Sequence, residues 1–314
     1  MDVDVFAIPM RTRFRGLTTR DGVLFLGDAG WGEFSPFWDY DDVASAPWWR
    51  AAIEAADAGW PAPVRAEVPV NAIVPAVDPE TAAALVRAAG CATVKVKVAE
   101  PGQSEADELG RVESVRDALG PGGKIRVDAN AAWDTETAVR RLRALDRAAG
   151  GLEYAEQPCA TVAGLAALRR AIDVPIAADE SIRLAADPME VVRAEAADIA
   201  VLKVHPLGGV RACLELAERL GLPVVVSSAL ETSVGLAAGL ALAAALPDLP
   251  YACGLGTARL LTGDVVADPL LPVGGVLAVR RPPVDPTMLA AHAAEPDLAR
   301  RWRERVAHVA GALR

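Results

Sequence analysis

From about residue 69 the chain alternates two kinds of segment. Short apolar runs occur at 70–74, 93–98, 124–128, 152–156, 175–179, 199–204, 223–227 and 251–255. Between them lie longer, Ala-rich stretches with helical spacing, at 79–89, 105–119, 135–149, 162–172, 188–196, 210–220 and 232–246. Several of these close on a glycine, Gly90, Gly120, Gly150 and Gly221, as a helix C-terminus prefers. Strands alternating with helices predict a parallel sheet with right-handed crossovers. Over this length the pattern predicts an α/β fold closing into a (β/α)7β TIM-like barrel across 68–272. An open doubly wound sheet is the alternative, but no GxGxxG follows the first run.

Residues 1–67 read differently. Runs at 3–8, 23–26 and 30–34 predict short strands, and 41–58 predicts a helix ended by Gly59 with Pro61 and Pro63 beyond it. This is the pattern of a small N-terminal α+β domain. Its 11–20 stretch reads as a loop carrying Arg11, Arg13, Arg15 and Arg20. Two readings stand side by side: a solvated loop, or a lid over an anionic ligand. The tail 273–314 ends in a basic helix expected to pack back on the first domain.

Composition narrows the function. The chain has 314 residues, 52% hydrophobic, with a formal net charge of -10. That opposes a nucleic-acid footprint but not a small anionic substrate in a locally positive cleft. Cys91, Cys159, Cys213 and Cys253 are widely spaced, with no CxxC, which suits a reducing compartment. The acidic N-terminus lacks the apolar core of a signal peptide, and 234–246 is too short to span a bilayer, so a cytoplasmic protein without membrane contact is expected.

The chemistry of such a barrel sits at the C-terminal ends of its strands. The run 93–98 alternates valines with Lys95 and Lys97, placing both ammonium groups on one face. The following ends offer Arg126, Asp128 and Asn130, then Glu156, then Asp179 and Glu180, then Lys203 and His205, then Ser227 and Ser228, then Gly254. A carboxylate at a strand end is often only a helix cap. Three on consecutive strands, Asp128, Glu156 and Asp179, repel one another unless a cation sits among them. All-oxygen ligation favours Mg2+, with Mn2+ as substitute. Asn130 and Glu180 read as groups that orient the ligands. Lys97 and Lys203, four strands apart, would face each other across the mouth. Together with a metal they suit abstraction of a proton α to a carboxylate, with Lys95 helping to tune Lys97. His205 reads as a structural strand-end histidine.

The ordered set Lys95-Val-Lys97, Asp128-Ala-Asn130, Glu156-Gln-Pro158, Ala178-Asp179-Glu180-Ser181 and Lys203 resembles the enolase superfamily, within it the muconate-lactonising subgroup. The resemblance covers almost the whole chain and implies a capping α+β domain over the barrel. It further implies that Lys97 and Lys203 are the acid/base pair and that Asp128, Glu156 and Asp179 hold Mg2+. Arg126 before the metal aspartate, Ser227-Ser228 and the 254–257 run look most like the subgroup's dehydratases. That implies a small carboxylate substrate losing water, with Lys95, Arg126, Asn130, Glu180, Ser227, Ser228 and Gly254 either contacting it or supporting the residues that do. Racemases of N-acylamino acids and muconate-type cycloisomerases share the same lysine pair and remain the alternatives, as does a barrel that only binds.

Overall fold

The computed structural model describes residues 2–14 and 16–313. The chain opens with an antiparallel sheet of β1 (Asp4–Phe14), β2 (Leu17–Gly27) and β3 (Gly30–Phe34). Helix α1 (Asp42–Ile53) follows, its first turn capped by Asp41, whose carboxylate accepts from the Ala44 N–H, and it widens into a π turn at Glu54–Ala58. β4 (Glu67–Pro69) leads into the alternating region. There β5 (Ala72–Val74), α2 (Pro79–Ala89), β6 (Thr93–Lys97), α3 (Glu105–Leu119), β7 (Lys124–Asp128), α4 (Thr135–Ala149), β8 (Leu152–Glu156) and α5 (Val162–Arg169) succeed one another. The series continues through β9 (Ile176–Ala178), α6 (Glu180–Arg183), α7 (Glu190–Arg193), β10 (Ile199–Lys203), α8 (Val204–Leu207), α9 (Val210–Leu220), β11 (Val224–Ser227) and α10 (Ser233–Ala245). The tail holds β12 (Val276–Ala278), paired to β4, then α11 (Pro286–Ala291) and α12 (Pro296–Ala312).

β5 to β11 form one parallel sheet in sequence order, the curled wall of an α/β TIM-like barrel beneath a capping domain. On its outer face Val94 and Val96 join Val112 and Val115 of α3 in the main core. Inside, Tyr154, Ala177, Ile199, Val201 and Val225 form a separate apolar layer. The expected eighth strand, 251–255, is reduced to isolated bridges, Val70 to Cys253 and Ser227 to Gly254. Three bonds still close the ring: Cys253 N–H donates to Pro69 O at 2.7 Å, Asn71 N–H to Cys253 O at 3.0 Å and Gly254 N–H to Val226 O at 2.8 Å. Pro250 has no N–H to give, and Gly254 and Gly256 weaken strand geometry, which explains the shortening.

The stretch expected to be a loop at 11–20 is instead a β-hairpin arm, with Phe14 paired to Leu17 across the tip and a register shift between Pro9 and Phe14. Its period-two exposure is plain: Arg11 and Arg13 are exposed while Thr12 and Phe14 are half-buried. Strand pairing overrode the apparent turn composition. In the tail, Trp302 of α12 is fully buried against the cap, its ring centroid 6.0 Å from that of Phe34. Arg305 adds hydrogen bonds to Phe37 O (2.9 Å) and Tyr40 O (2.7 Å).

One buried joint fixes the cap on the barrel. Glu33 of β3 reaches the N-terminus of α10. It accepts from Gly235 N–H at 2.9 Å, from Thr232 N–H at 3.2 Å and from the Thr232 hydroxyl at 2.6 Å, and from Ser35 Oγ at 2.7 Å. A carboxylate at a helix N-terminus satisfies N–H groups that have no partner within the helix. There is no room for more: a Cβ on Gly235 would lie 2.8 Å from Glu33 Oε2. Arg20 lies beside it, donating from Nε to Leu230 O at 3.0 Å and bonding Ser35. Burial pushes the Glu33 carboxyl above its usual 4.5, against the pull of His205, Thr232 and Arg20. The folded state therefore holds this proton more tightly than the unfolded chain. The group's contribution is fully present below 4.5 and is lost as pH rises from there through the folded pKa. Urea titrations across this range should show wild type losing stability relative to Glu33→Gln as pH rises. A constant difference between the two proteins would contradict the assignment.

Candidate active site

Parallel pairing sets the site. Lys97 pairs with Asp128 and Asp128 with Glu156, so their side chains emerge side by side at the ends of β6, β7 and β8. Asp179 follows one residue after β9. Asp128 and Glu156 are 1% exposed and Asp179 is fully buried. Each carboxylate meets an ammonium. Lys95 Nζ lies 2.7 Å from Glu156 and 3.5 Å from Asp128, Lys97 Nζ lies 2.6 Å from Asp128, and Lys203 Nζ lies 2.5 Å from Asp179. Three negative charges face three positive ones, so the cluster is neutral in sum.

The electrostatics are uneven. Burial raises the Asp128 carboxyl, but Lys97 and Lys95 outweigh it and hold the group well below the usual carboxylate range. Asp179 is likewise held at about 2, because Lys203 and Arg183 outweigh burial. Glu156 goes the other way: burial pushes it up, Asp128 adds to the push, and Lys95 only partly opposes them. Lys95 stays charged because Glu156 and Asp128 outweigh its own desolvation. Glu156 is thus the carboxylate with the least compensated charge.

The cap roofs this cluster. Phe14, Phe37, Tyr40 and Trp48 line the pocket, and Lys97 Nζ stands 5.3 Å from the Phe14 ring centre. Ser227, Ser228 and Thr257 form the opposite wall. Ser228 Oγ donates to Gly254 O at 2.8 Å and lies 2.8 Å from the Thr257 hydroxyl. Gly254 is not itself on the wall; it lets Ser227 approach, since a Cβ there would lie 2.5 Å from Ser227 Oγ. The cavity measures only about 50 Å³, because the lysines lie down on the carboxylates. A larger cavity of about 430 Å³ sits on the barrel flank between α2 and residues 256–272, away from the strand-end carboxylates.

Other expected residues divide between the site and its surroundings. Asn130 is in place: its Oδ1 accepts from Lys97 Nζ at 2.6 Å and its N–H donates to Asp128 at 3.0 Å. Glu180 Oε1 accepts from Arg183 at 2.6 Å and from Asn130 at 3.4 Å. Arg126 is not at the mouth. Two residues before Asp128 on the same face, it sits one layer deeper, bonded to Glu153 (2.6 Å) and Ala252 O (2.7 Å) over the Tyr154 ring. The described hairpin arginines do not line the pocket either. Arg20 is buried at the cap–barrel joint, Arg11 borders the flank cavity, Arg13 is exposed, and Arg15 lies outside the described residues. His205 is held by Glu231 at 3.1 Å and packs on Trp48. The sequence reading missed Phe14, Tyr40 and Arg183. For Arg183 a signal existed: it follows Asp179 by four residues, one helical turn, and donates to it at 2.9 Å.

Among the described residues no three acidic, histidine or cysteine side chains converge as a ready-made metal cage. The donor chemistry nonetheless fits a hard divalent cation: three buried carboxylates on neighbouring strand ends, one poorly compensated, already neutralised by positive charge. No helix among the described residues is long and apolar enough to cross a membrane.

Comparison with known proteins bears on the family and the fold. Residues 78–283 match the family model described as enolase C-terminal domain-like, and 5–56 match enolase N-terminal domain-like. An o-succinylbenzoate synthase of Thermobifida fusca is 65% identical over 96% of this chain and 94% of its own. One from Mycobacterium bovis is 55% identical over 96% and 91%. Among solved structures, muconate lactonizing enzyme of Pseudomonas fluorescens superposes with a TM-score of 0.79 at 23% identity, over 93% of this chain and 98% of that one. The L-Ala-D/L-Glu epimerase of Bacillus subtilis gives 0.76 at 24%, over 90% and 96%. These two likenesses establish the fold. The family uses a divalent metal, and the chain belongs to the o-succinylbenzoate synthases, dehydrating lyases of the enolase superfamily.

Proposed function

We propose that the site dehydrates 2-succinyl-6-hydroxy-2,4-cyclohexadiene-1-carboxylate to 2-succinylbenzoate with Mg2+, in the cytoplasm and in service of menaquinone synthesis. The observation that carries this reading is the pair Lys97 and Lys203 on β6 and β10, both lining one pocket with the buried carboxylates on the arc between them. Asp128, Glu156 and Asp179 would hold the metal. Bound there, a divalent cation supplies positive charge against the substrate carboxylate and takes over the counter-charge the ammonium groups otherwise give.

Lys97 Nζ, freed from Asp128 and having given one proton to solvent, acts as the neutral amine and takes the proton from the ring carbon that bears the carboxylate. The same nitrogen then returns that proton to the departing 6-hydroxyl on the same face. Water leaves, and the ring electrons close into the aromatic product. Lys203 stays protonated on the opposite side and offsets the negative charge growing on the substrate carboxylate. Asn130 aims Lys97 through its 2.6 Å bond. Phe14, Phe37 and Trp48 exclude water above the ring. Ser228, steadied by Gly254 O and Thr257, shapes the wall for the remote part of the substrate. The reading divides the chain into a cap at 1–67, a catalytic barrel at 68–272 and a tail at 273–314. All four cysteines are free and buried, in keeping with a reducing compartment.

Glu156→Gln should weaken Mg2+ binding about 10-fold or more by calorimetry, given that even outer-shell changes cost ~10–100-fold. Wild-type affinity in that variant and in the matching Asp128 and Asp179 variants would refute the metal assignment. Removing either lysine should lower kcat at least ~10²-fold. In deuterated water, with an analogue that cannot eliminate, Lys97→Ala should abolish exchange of the α-hydrogen. Lys203→Ala should slow exchange and keep its face. The opposite pattern would reverse the two roles, and wild-type exchange in both would end the lysine mechanism.

A further inference from the structure

Among the described residues, Arg183 is the one strong cation of the site that neither the sequence pattern nor the mechanism above employs. It lies on α6, is 8% exposed as a residue, and its side chain is 3% exposed. Its guanidinium spends three nitrogens on three partners. Nε donates to Asp179 Oδ1 at 2.9 Å, Nη2 to Glu180 Oε1 at 2.6 Å, and Nη1 to the Tyr40 hydroxyl at 2.7 Å. The other oxygen of Asp179 receives Lys203 Nζ at 2.5 Å. Tyr40 belongs to the cap, in the segment between β3 and α1. Its ring packs edge-on against Phe37 and against Trp48, and its carbonyl takes a bond from Arg305 of α12. A continuous chain of contacts therefore runs from the C-terminal helix and cap through Tyr40 and Arg183 to Asp179 and on to Lys203.

The fork geometry matters. A guanidinium holds its donors in a rigid plane, so fixing one nitrogen on Tyr40 fixes the direction of the others. Asp179 stands at the end of a three-residue strand with no side-chain cap of its own helix to steady it. Arg183 supplies that restraint, and the cap supplies the restraint on Arg183.

From this geometry we infer that Arg183 and Tyr40 are positioning residues that make the alignment of Asp179 and Lys203 depend on the seating of the cap over the pocket. The inference rests on the proposed roles of Asp179 and Lys203. It explains why a barrel-mouth carboxylate is bonded to a residue reaching out to the cap rather than to a neighbour on the barrel alone. An enzyme that aligns its ligand and its cation only when roofed does not assemble its charge cluster in an open, wet mouth.

The test is a cycle of full-length variants: Tyr40→Phe, Arg183→Lys, Arg183→Met and the double variant Tyr40→Phe/Arg183→Met. Each is measured for Mg2+ binding by calorimetry, for kcat and KM on the cyclohexadiene substrate, and for thermal unfolding. Tyr40→Phe removes one hydroxyl and should weaken Mg2+ binding about 10-fold, as loss of an outer-shell partner does. It should lower kcat more than it raises KM. Arg183→Lys keeps the charge but loses the fork, and should fall at least as far. The double variant should bind Mg2+ no more weakly than Arg183→Met alone, because Tyr40 acts through Arg183. If Arg183→Met does not fold, the same comparison is made on Arg183→Lys. The inference is overturned if Tyr40→Phe melts lower but binds Mg2+ and turns over as wild type does. It is equally overturned if only KM changes, or if the two losses multiply. A wild type that binds no Mg2+ overturns the functional reading and this one together.

Discussion

Charge balance at the barrel mouth is the constraint on which the rest of the structure depends. Asp128, Glu156 and Asp179 are withdrawn from water on adjacent strand ends, and a buried carboxylate is tolerable only with a partner. Lys95, Lys97 and Lys203 are those partners, each arriving from a strand of the same sheet. The balance is local. Lys95 is committed to Glu156 and Asp128, while Lys97 and Lys203 each pair with a single carboxylate. A dication brought among the three carboxylates competes with the lysines that can leave. The two lysines with single partners are the ones assigned the chemistry. The small volume of the pocket has the same origin, because the side chains that would handle substrate lie on the carboxylates.

The cap is part of this balance rather than a lid added to it. It is anchored by Glu33 at the α10 N-terminus, and by Arg20 on Leu230 O, both buried. It then contributes Phe14, Phe37, Tyr40 and Trp48 to the roof of the pocket. Lowering the local dielectric strengthens every ion pair beneath it. The tail helix holds the cap from the far side through Trp302 and Arg305. Three segments distant in sequence thus converge on one charge cluster.

Much of this was legible in the sequence because barrels write their chemistry at strand ends. Period-two alternation put Lys95 and Lys97 on one face, and the carboxylates at successive strand ends fell into register as the pairing of Asp128 with Glu156 requires. What was not legible has specific causes. The hairpin arm looked like a loop because its arginines and Gly16 resemble turn composition, yet pairing from Asp4 to Phe14 organised it. Period two also placed Arg126 with Asp128 on one face, but says nothing about depth, and two residues is a full layer of the barrel interior. Tyr40 and Arg183 are 143 positions apart, and no local pattern announces a contact of that span. Glu33 looked like an ordinary polar strand residue, because the helix end it caps is some two hundred positions away.

The proposed mechanism requires that one dication replace the ammonium groups among the three carboxylates and release Lys97 and Lys203 to opposite faces of the substrate ring. A crystal structure with Mg2+ and 2-succinylbenzoate tests it most directly. The expected result is a single cation touching Asp128, Glu156 and Asp179, with Lys97 Nζ no longer on Asp128 and the two lysines on opposite sides of the ring. A cation bound elsewhere, or both lysines still paired to their carboxylates with product in place, would contradict it.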